Sequence, residues 1–263
     1  MKFRVLRLLA VVSVPALVFA ACGDDAGSTT TEAPAEEPAV EGDITVFAAA
    51  SLTDAFTELG TTFESENPDA SVEFNFGASS ALREQILAGA PADVFASANP
   101  SNMDQVVDAG AASDPRDFVT NLLEIAVPAG NEAGVTGLDD FANADLLIGL
   151  CAEEVPCGEF GREALGNAGV SPSIDTNEPD VRSLLTKVEA GDLDAGIVYV
   201  TDVMAAGDSV EGVEIPADDN VVATYPIAAL TGAANPDTAD VFVEFVLSDE
   251  GQDILRSYGF DAP

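Results

Sequence analysis

The stretch Ile44–Phe56, "ITVFAAASLTDAF", decides how the chain is read. Ile44 to Phe47 suit a buried strand and run into three alanines. Ser51 then stands where helical periodicity begins, and Leu52, Ala55, Phe56, Leu59 and Phe63 mark one face of the helix. A strand that gives way at once to a helix is the repeating unit of a parallel α/β sheet. Two roles are open to Ser51. It is a good helix N-cap, and with only alanines beside it there is room for a guest at the unpaired N–H groups of the first turn.

The same alternation continues outward. "SVEFNF" (71–76) reads as a strand, "SSALREQILAGA" as a helix ending near Gly89, "ADVFASA" as a short buried strand and "NMDQVVDAGA" as a short helix. A second set follows. "LLEIAVPA", "LLIGL" and "AGIVY" (Ala195–Tyr199) are strand-like, and helices are marked by Phe160, Ala164 and Leu165 and by Val181, Leu184, Leu185 and Val188. "VVATYPIAALTG" reads as a long strand, and "PDTADVFVEFVLS" and "EGQDILRSYGF" as closing helices. The expected class is α/β with two lobes: residues 43–121 plus 225–263, and residues 122–224. Long extended segments near 119–124 and 222–226 would cross between them, and the last helices would return to the first lobe.

Composition narrows the function. The chain has 263 residues, no histidine and no tryptophan. Histidine triads and histidine metal ligation are therefore excluded. Asp and Glu number 47 against 9 Lys and Arg, a formal net charge of −38, and Lys2, Arg4 and Arg7 lie in the first seven residues. Nucleic acid and anionic membrane surfaces are poor partners for such a body. Residues 1–22 combine a basic start, an apolar run from Leu8 to Phe19 and "FAAC", the pattern of an export signal. It resembles a bacterial lipoprotein signal, which would leave Cys22 as the lipidated first residue and hold the protein at the outer face of the cell membrane. Residues 23–42 read as a flexible tether. With Cys22 so used, Cys151 and Cys157 form an even, locally spaced pair in an exported chain, and a disulfide is expected.

Several strand-to-helix junctions share one character. Ser51, Ser79 with Ser80 in "GASSAL", Cys157 and Gly158 in "VPCGEF", and Val181 after the capping Asp180 in "PDVRSLL" all stand at helix starts. Tyr199 ends the strand "AGIVY". Each alone fits an ordinary cap or core residue. Gathered on one cleft, helix starts carry partial positive charge and free N–H groups, which make an anion site without formal cations.

At these residues the chain resembles the extracytoplasmic molybdate-binding proteins of ABC transporters, within the periplasmic-binding-protein superfamily. The likeness rests on "ITVFAAASLTDAF", "FNFGASSALREQILAGAPADVFASA", "VPCGEFGREAL", "DVRSLLTKVEAGDLDAGIVYVTD" and "RSYGF", and runs from about Ile44 to Phe260. It implies a type II periplasmic-binding-protein fold, in which two mostly parallel, helix-flanked lobes joined by a two-segment hinge hold a tetrahedral oxyanion between them. The implied molybdate or tungstate contacts are Ser51, Ser79, Cys157, Val181 and Tyr199. The serines would offer hydroxyl and backbone N–H, Cys157 and Val181 backbone N–H, and Tyr199 its phenol. Molybdenum would enter only as the oxyanion, without catalysis, resident metal or cofactor. A monomer delivering its ion to an ABC permease is expected. Sulfate or another tetrahedral oxyanion, and an anion-sensing lipoprotein without transport, are the alternatives. A serine hydrolase is disfavoured by the missing histidine and by Lys187, which lies inside a helix away from both serines.

Overall fold

Alternating strands and helices open the structure, a computed structural model that describes residues 40–263. The export signal 1–22 with Cys22, and residues 23–39 of the expected tether, lie outside the described residues. Strand β1 (Gly42–Ala49) leads through a single 3-10 turn (Ala50–Leu52) into α1 (Thr53–Glu66). Strand β2 (Ala70–Gly77), α2 (Ser79–Leu87), β3 (Val94–Ala96) and α3 (Pro100–Asp108) complete the first set. β1 pairs in parallel with both β2 and β3, the geometry that helical crossovers produce.

Strand β4 (Arg116–Pro128) opens the second set, followed by β5 (Ile148–Cys151), α4 (Pro156–Asn167), β6 (Thr176–Glu178), α5 (Val181–Glu189) and β7 (Ala195–Tyr199). β5 pairs in parallel with β6 and β7. A short α6 (Val200–Ala206), β8 (Val210–Glu214), β9 (Val222–Ala229), α7 (Pro236–Leu247) and α8 (Asp249–Ser257) close the chain. The ladder runs β2-β1-β3-β9-β4-β7-β5-β6, with β8 attached to β4.

The parallel pairing expected from the sequence holds within the two triplets β2-β1-β3 and β6-β5-β7. The strands between them pair antiparallel: β9 with β3 and β4, and β4 with β7 and β8. β4 changes partner midway. Arg116–Leu122 faces β9, whereas Leu123–Ala126 faces β7. That change of partner falls inside the segment 119–124, and the strand is longer than its apolar portion alone indicates.

Burial explains why these elements stay together. Phe56 and Phe63 of α1 meet Phe242 of α7 edge to face, with ring centroids 6.4 and 5.2 Å apart, and Phe56 also meets Phe74 of β2 and Phe118 of β4. Each such contact adds about 0.5–1.5 kcal/mol to the gain from apolar burial. The closing helix α7 therefore packs on the β1 side. The chain is already fixed before β1. Val40 packs on the core, and Glu41 and Thr238 exchange hydrogen bonds of 3.1 and 2.8 Å. Gly42 has φ +88°, and a Cβ there would lie within 3.0 Å of the Asn235 side chain. The last three residues of the expected 23–42 tether are thus part of the folded body. Polar composition hid a docking that depends on a partner almost two hundred residues away.

Candidate functional site

The C-terminal ends of both parallel triplets point to the same region, the place where α/β sheets bind ligands. A small cavity, of about 10 Å³, lies there. Its lining includes Ala49, Ala50 and Ser51 after β1, Gly77, Ala78 and Ser79 after β2, and Ala98 after β3. Val155, Pro156 and Cys157 at the start of α4, Asp180 and Val181 at the start of α5, and Tyr199 at the end of β7 supply the rest. All five residues named from sequence, Ser51, Ser79, Cys157, Val181 and Tyr199, therefore line one cavity, each 1–4% exposed. Cys151 and Cys157 are joined by a disulfide in the structure.

The hydrogen bonds leave donors unused. The Ala98 N–H donates to Ser79 Oγ at 2.9 Å, so the serine accepts there and its own proton remains available. Ser51 Oγ lies 3.0 Å from the Tyr225 hydroxyl, and either oxygen can donate. When Tyr225 donates, Ser51 too keeps a free proton. No acceptor among the described residues takes the backbone N–H of Ser51, Ser79, Cys157 or Val181. Such groups are the orphan donors of helix starts.

Tyr199 is the most telling of the five. Its hydroxyl is fully buried and has no hydrogen-bond partner among the described residues. Desolvation, reinforced by the nearby Tyr225 and Asp202, pushes its pKa well above the ordinary phenol value, so it stays a donor at neutral pH. A buried, unsatisfied hydroxyl costs about 1–3 kcal/mol unless something accepts from it.

Charge is kept to one side. Asp180 is the sole ionisable carboxylate on the lining, and its two oxygens accept from Ser183 N at 2.8 Å and Ser183 Oγ at 3.0 Å, capping α5. No Lys or Arg lines the cavity. Arg182, next to Val181, pairs instead with Asp54 on α1, and its Nε lies 3.3 Å from Asp202 Oδ1. Arg83 is committed to Asn102 at 2.9 Å and Glu84 at 3.1 Å. Burial raises the Asp202 carboxyl to about 6 against the opposing pull of Arg182, while its Oδ2 accepts from Tyr199 N at 3.1 Å. Apart from Asp180, whose carboxylate is turned to capping α5, the polar groups of the lining are neutral donors.

Sequence reasoning missed Tyr225 and Asp202. Tyr225 sits on β9, wholly buried, with its ring 6.0 Å from that of Tyr199, and it orients Ser51. In "VVATYPIAAL" it is one apolar position among many, and only the pairing of β9 with β4 brings it to the site. Asp202 had a visible signal: an acid three residues after Tyr199, at the spacing of a capping box.

The chain is 37% identical over 257 residues to the molybdate-binding protein ModA of Mycobacterium tuberculosis, covering 97% of each. It is 31% identical over 251 residues to the putative ABC transporter substrate-binding lipoprotein YvgL of Bacillus subtilis, covering 94% of each. The periplasmic molybdate-binding protein of Azotobacter vinelandii superposes with a TM-score of 0.73 at 19% identity, over 84% of this chain and 99% of that one, a likeness of fold. Residues 44–261 match the family described as bacterial extracellular solute-binding protein, a span that takes in all but the first two residues of the strand triplets and every residue of the cavity. The chain belongs to that family.

Proposed function

We propose that this protein captures molybdate or tungstate in the cavity and delivers it to an ABC permease, without catalysing a reaction. The observation that carries the reading is the buried, unpartnered hydroxyl of Tyr199 facing a lining whose polar groups, Asp180 apart, are neutral donors. Molybdate and tungstate are fully deprotonated dianions at neutral pH, so each oxygen accepts and none donates. Hydroxyls of Ser51, Ser79 and Tyr199 and backbone N–H groups of Ser51, Ser79, Cys157 and Val181 answer that need. Hydrogen bonds to a charged group are worth about 1.5–3 kcal/mol each, and several are required to offset desolvation of a dianion. Phosphate keeps a proton near neutrality and needs an acceptor, yet the one carboxylate on the lining, Asp180, is committed to Ser183.

In this reading residues 43–121 with 225–263 form one lobe and 122–224 the other. The partner change at Leu122/Leu123 in β4 supports a hinge there, with the segment entering β9 as its second strand. The protein acts as a monomer outside the cytoplasm, exported by residues 1–22 and held by a lipid on Cys22. The lipoprotein relative of Bacillus subtilis supports that anchoring.

A thermal-shift panel of molybdate, tungstate, sulfate and phosphate tests the reading. A ligand that binds only the native state raises Tm with its occupancy. Molybdate and tungstate are expected to give the largest shifts. A larger shift with sulfate favours the alternative oxyanion, and no shift with any of the four contradicts the proposal.

A further inference from the structure

We infer that the Cys151–Cys157 disulfide and Arg162 are positioning groups that set anion selectivity: they fix the turn carrying the Cys157 N–H, and so hold one wall of the cavity at a size that suits molybdate better than the smaller sulfate. The inference rests on the functional reading above.

The turn between β5 and α4 is tied at several points. Its two ends are joined covalently, with both cysteines buried. Val155 N donates to Ala152 O at 3.0 Å, Gly158 N to Val155 O at 2.8 Å, and Ala152 N to Glu178 O at 2.8 Å. Arg162 Nη1 donates to both Cys151 O and Gly158 O at 2.8 Å, and its Nη2 donates to Asn177 on β6. The helix start is also pressed onto the strand end. A Cβ on Gly158 would lie 1.9 Å from Ala152 O, so only glycine fits. The Cys157 N–H, on the cavity lining, keeps no partner among the described residues.

The opposite wall is built differently. Ala49, Ala50, Gly77 and Ala78 are small, and Ser51 and Ser79 each have one hydrogen-bonded neighbour, Tyr225 and Ala98 N. Molybdate and sulfate carry the same charge and the same acceptors, so size is the property left to separate them. A wall that yields can close on the smaller ion and recover its hydrogen bonds. A wall that is fixed leaves them long, which is discrimination through misfit.

The test measures Kd for sodium molybdate and sodium sulfate by titration calorimetry, with Tm recorded without added ion. The variants are the double exchange Cys151→Ala with Cys157→Ala, which keeps the backbone N–H at 157, and Arg162→Gln. Loss of the Arg162 charge acts on both dianions alike, so the ratio of the two constants isolates fit. We expect the sulfate-to-molybdate Kd ratio to fall by about tenfold in the double variant and by a smaller factor in Arg162→Gln. A ratio within about twofold of the parent in both, whatever Tm does, overturns the inference and leaves a merely structural role. If the double variant does not fold, the Arg162→Gln ratio decides by the same criterion. A parent that binds sulfate as tightly as molybdate overturns this inference alone. A parent that binds neither ion overturns the functional reading and this inference with it.

Discussion

Tyr199 illustrates how a single side chain reports a use. Its ring is ordinary core, packed on Tyr225 at 6.0 Å, but its hydroxyl is buried without a partner. Tyr199→Phe is therefore predicted to leave Tm of the ion-free protein unchanged or raise it, because an unsatisfied donor is removed. The same exchange is expected to weaken molybdate binding by about ten- to a hundredfold, one charge-assisted hydrogen bond, in titration calorimetry. Unchanged affinity contradicts the donor role. Asp202 carries a second prediction. Burial raises its folded pKa from 3.8 to about 6, so the folded state holds the proton more tightly than the unfolded state. Its contribution to stability is complete below the unfolded value and is lost as pH rises through about 6, on the order of 3 kcal/mol over the window. Urea unfolding at pH 4 and pH 7.5 is expected to show the parent losing stability relative to Asp202→Asn as pH rises. A constant difference between the two contradicts this.

At the level of elements, most of the architecture was legible because period and composition agree. "ITVFAA", "AGIVY" and the helix faces of α1 and α5 each combine the right spacing with clear ends. Three elements escaped. β6 is the three residues Thr176–Glu178, polar and at the edge of the ladder, and it exists through its pairing with β5. β8, "VEGVE", carries a glycine and pairs with β4 alone. α6 is seven residues long, and its start depends on Asp202 reaching back to Tyr199 N. Short elements gain their stability from partners distant in sequence, which no local pattern records. The return of α7 to the β1 side is carried by Phe242, fully buried between Phe56 and Phe63. Phe242→Ala is predicted to cost about 3–5 kcal/mol in urea unfolding. A loss below about 1 kcal/mol contradicts the proposed packing.

At the scale of the whole molecule, a strongly acidic chain carries the proposed anion site. The cations that lie among the described residues do not resolve this by moving into the cavity. Arg116, Arg182, Lys187 and Arg256 pair with acids, and Arg83 and Arg162 hold neighbouring polar groups. Salt screens surface charge beyond about 8 Å at physiological ionic strength, whereas donors in contact with the ion are barely screened. Association with molybdate is accordingly predicted to slow as salt is removed, because the net charge of −38 then repels the ion at long range. Stopped-flow rates that stay flat or rise at low salt contradict it. The candidate site was readable in sequence as a coincidence of junctions, and its five residues through the family resemblance. Each serine fits a plain cap, and the parallel sheets that bring five such positions to one cavity are a property of the assembled chain. Tyr225 was invisible for the same reason.

Tungsten scatters strongly enough to be located in a crystal without ambiguity, so a structure of the protein grown with tungstate is the most direct measurement. The ion is predicted between the hydroxyls of Ser51, Ser79 and Tyr199, with the backbone N–H groups of Cys157 and Val181 completing its contacts and no Lys or Arg side chain in hydrogen-bond reach. Tungstate held by arginine or lysine, or lying outside the cavity lined by these residues, contradicts the claim that neutral donors alone bind the dianion.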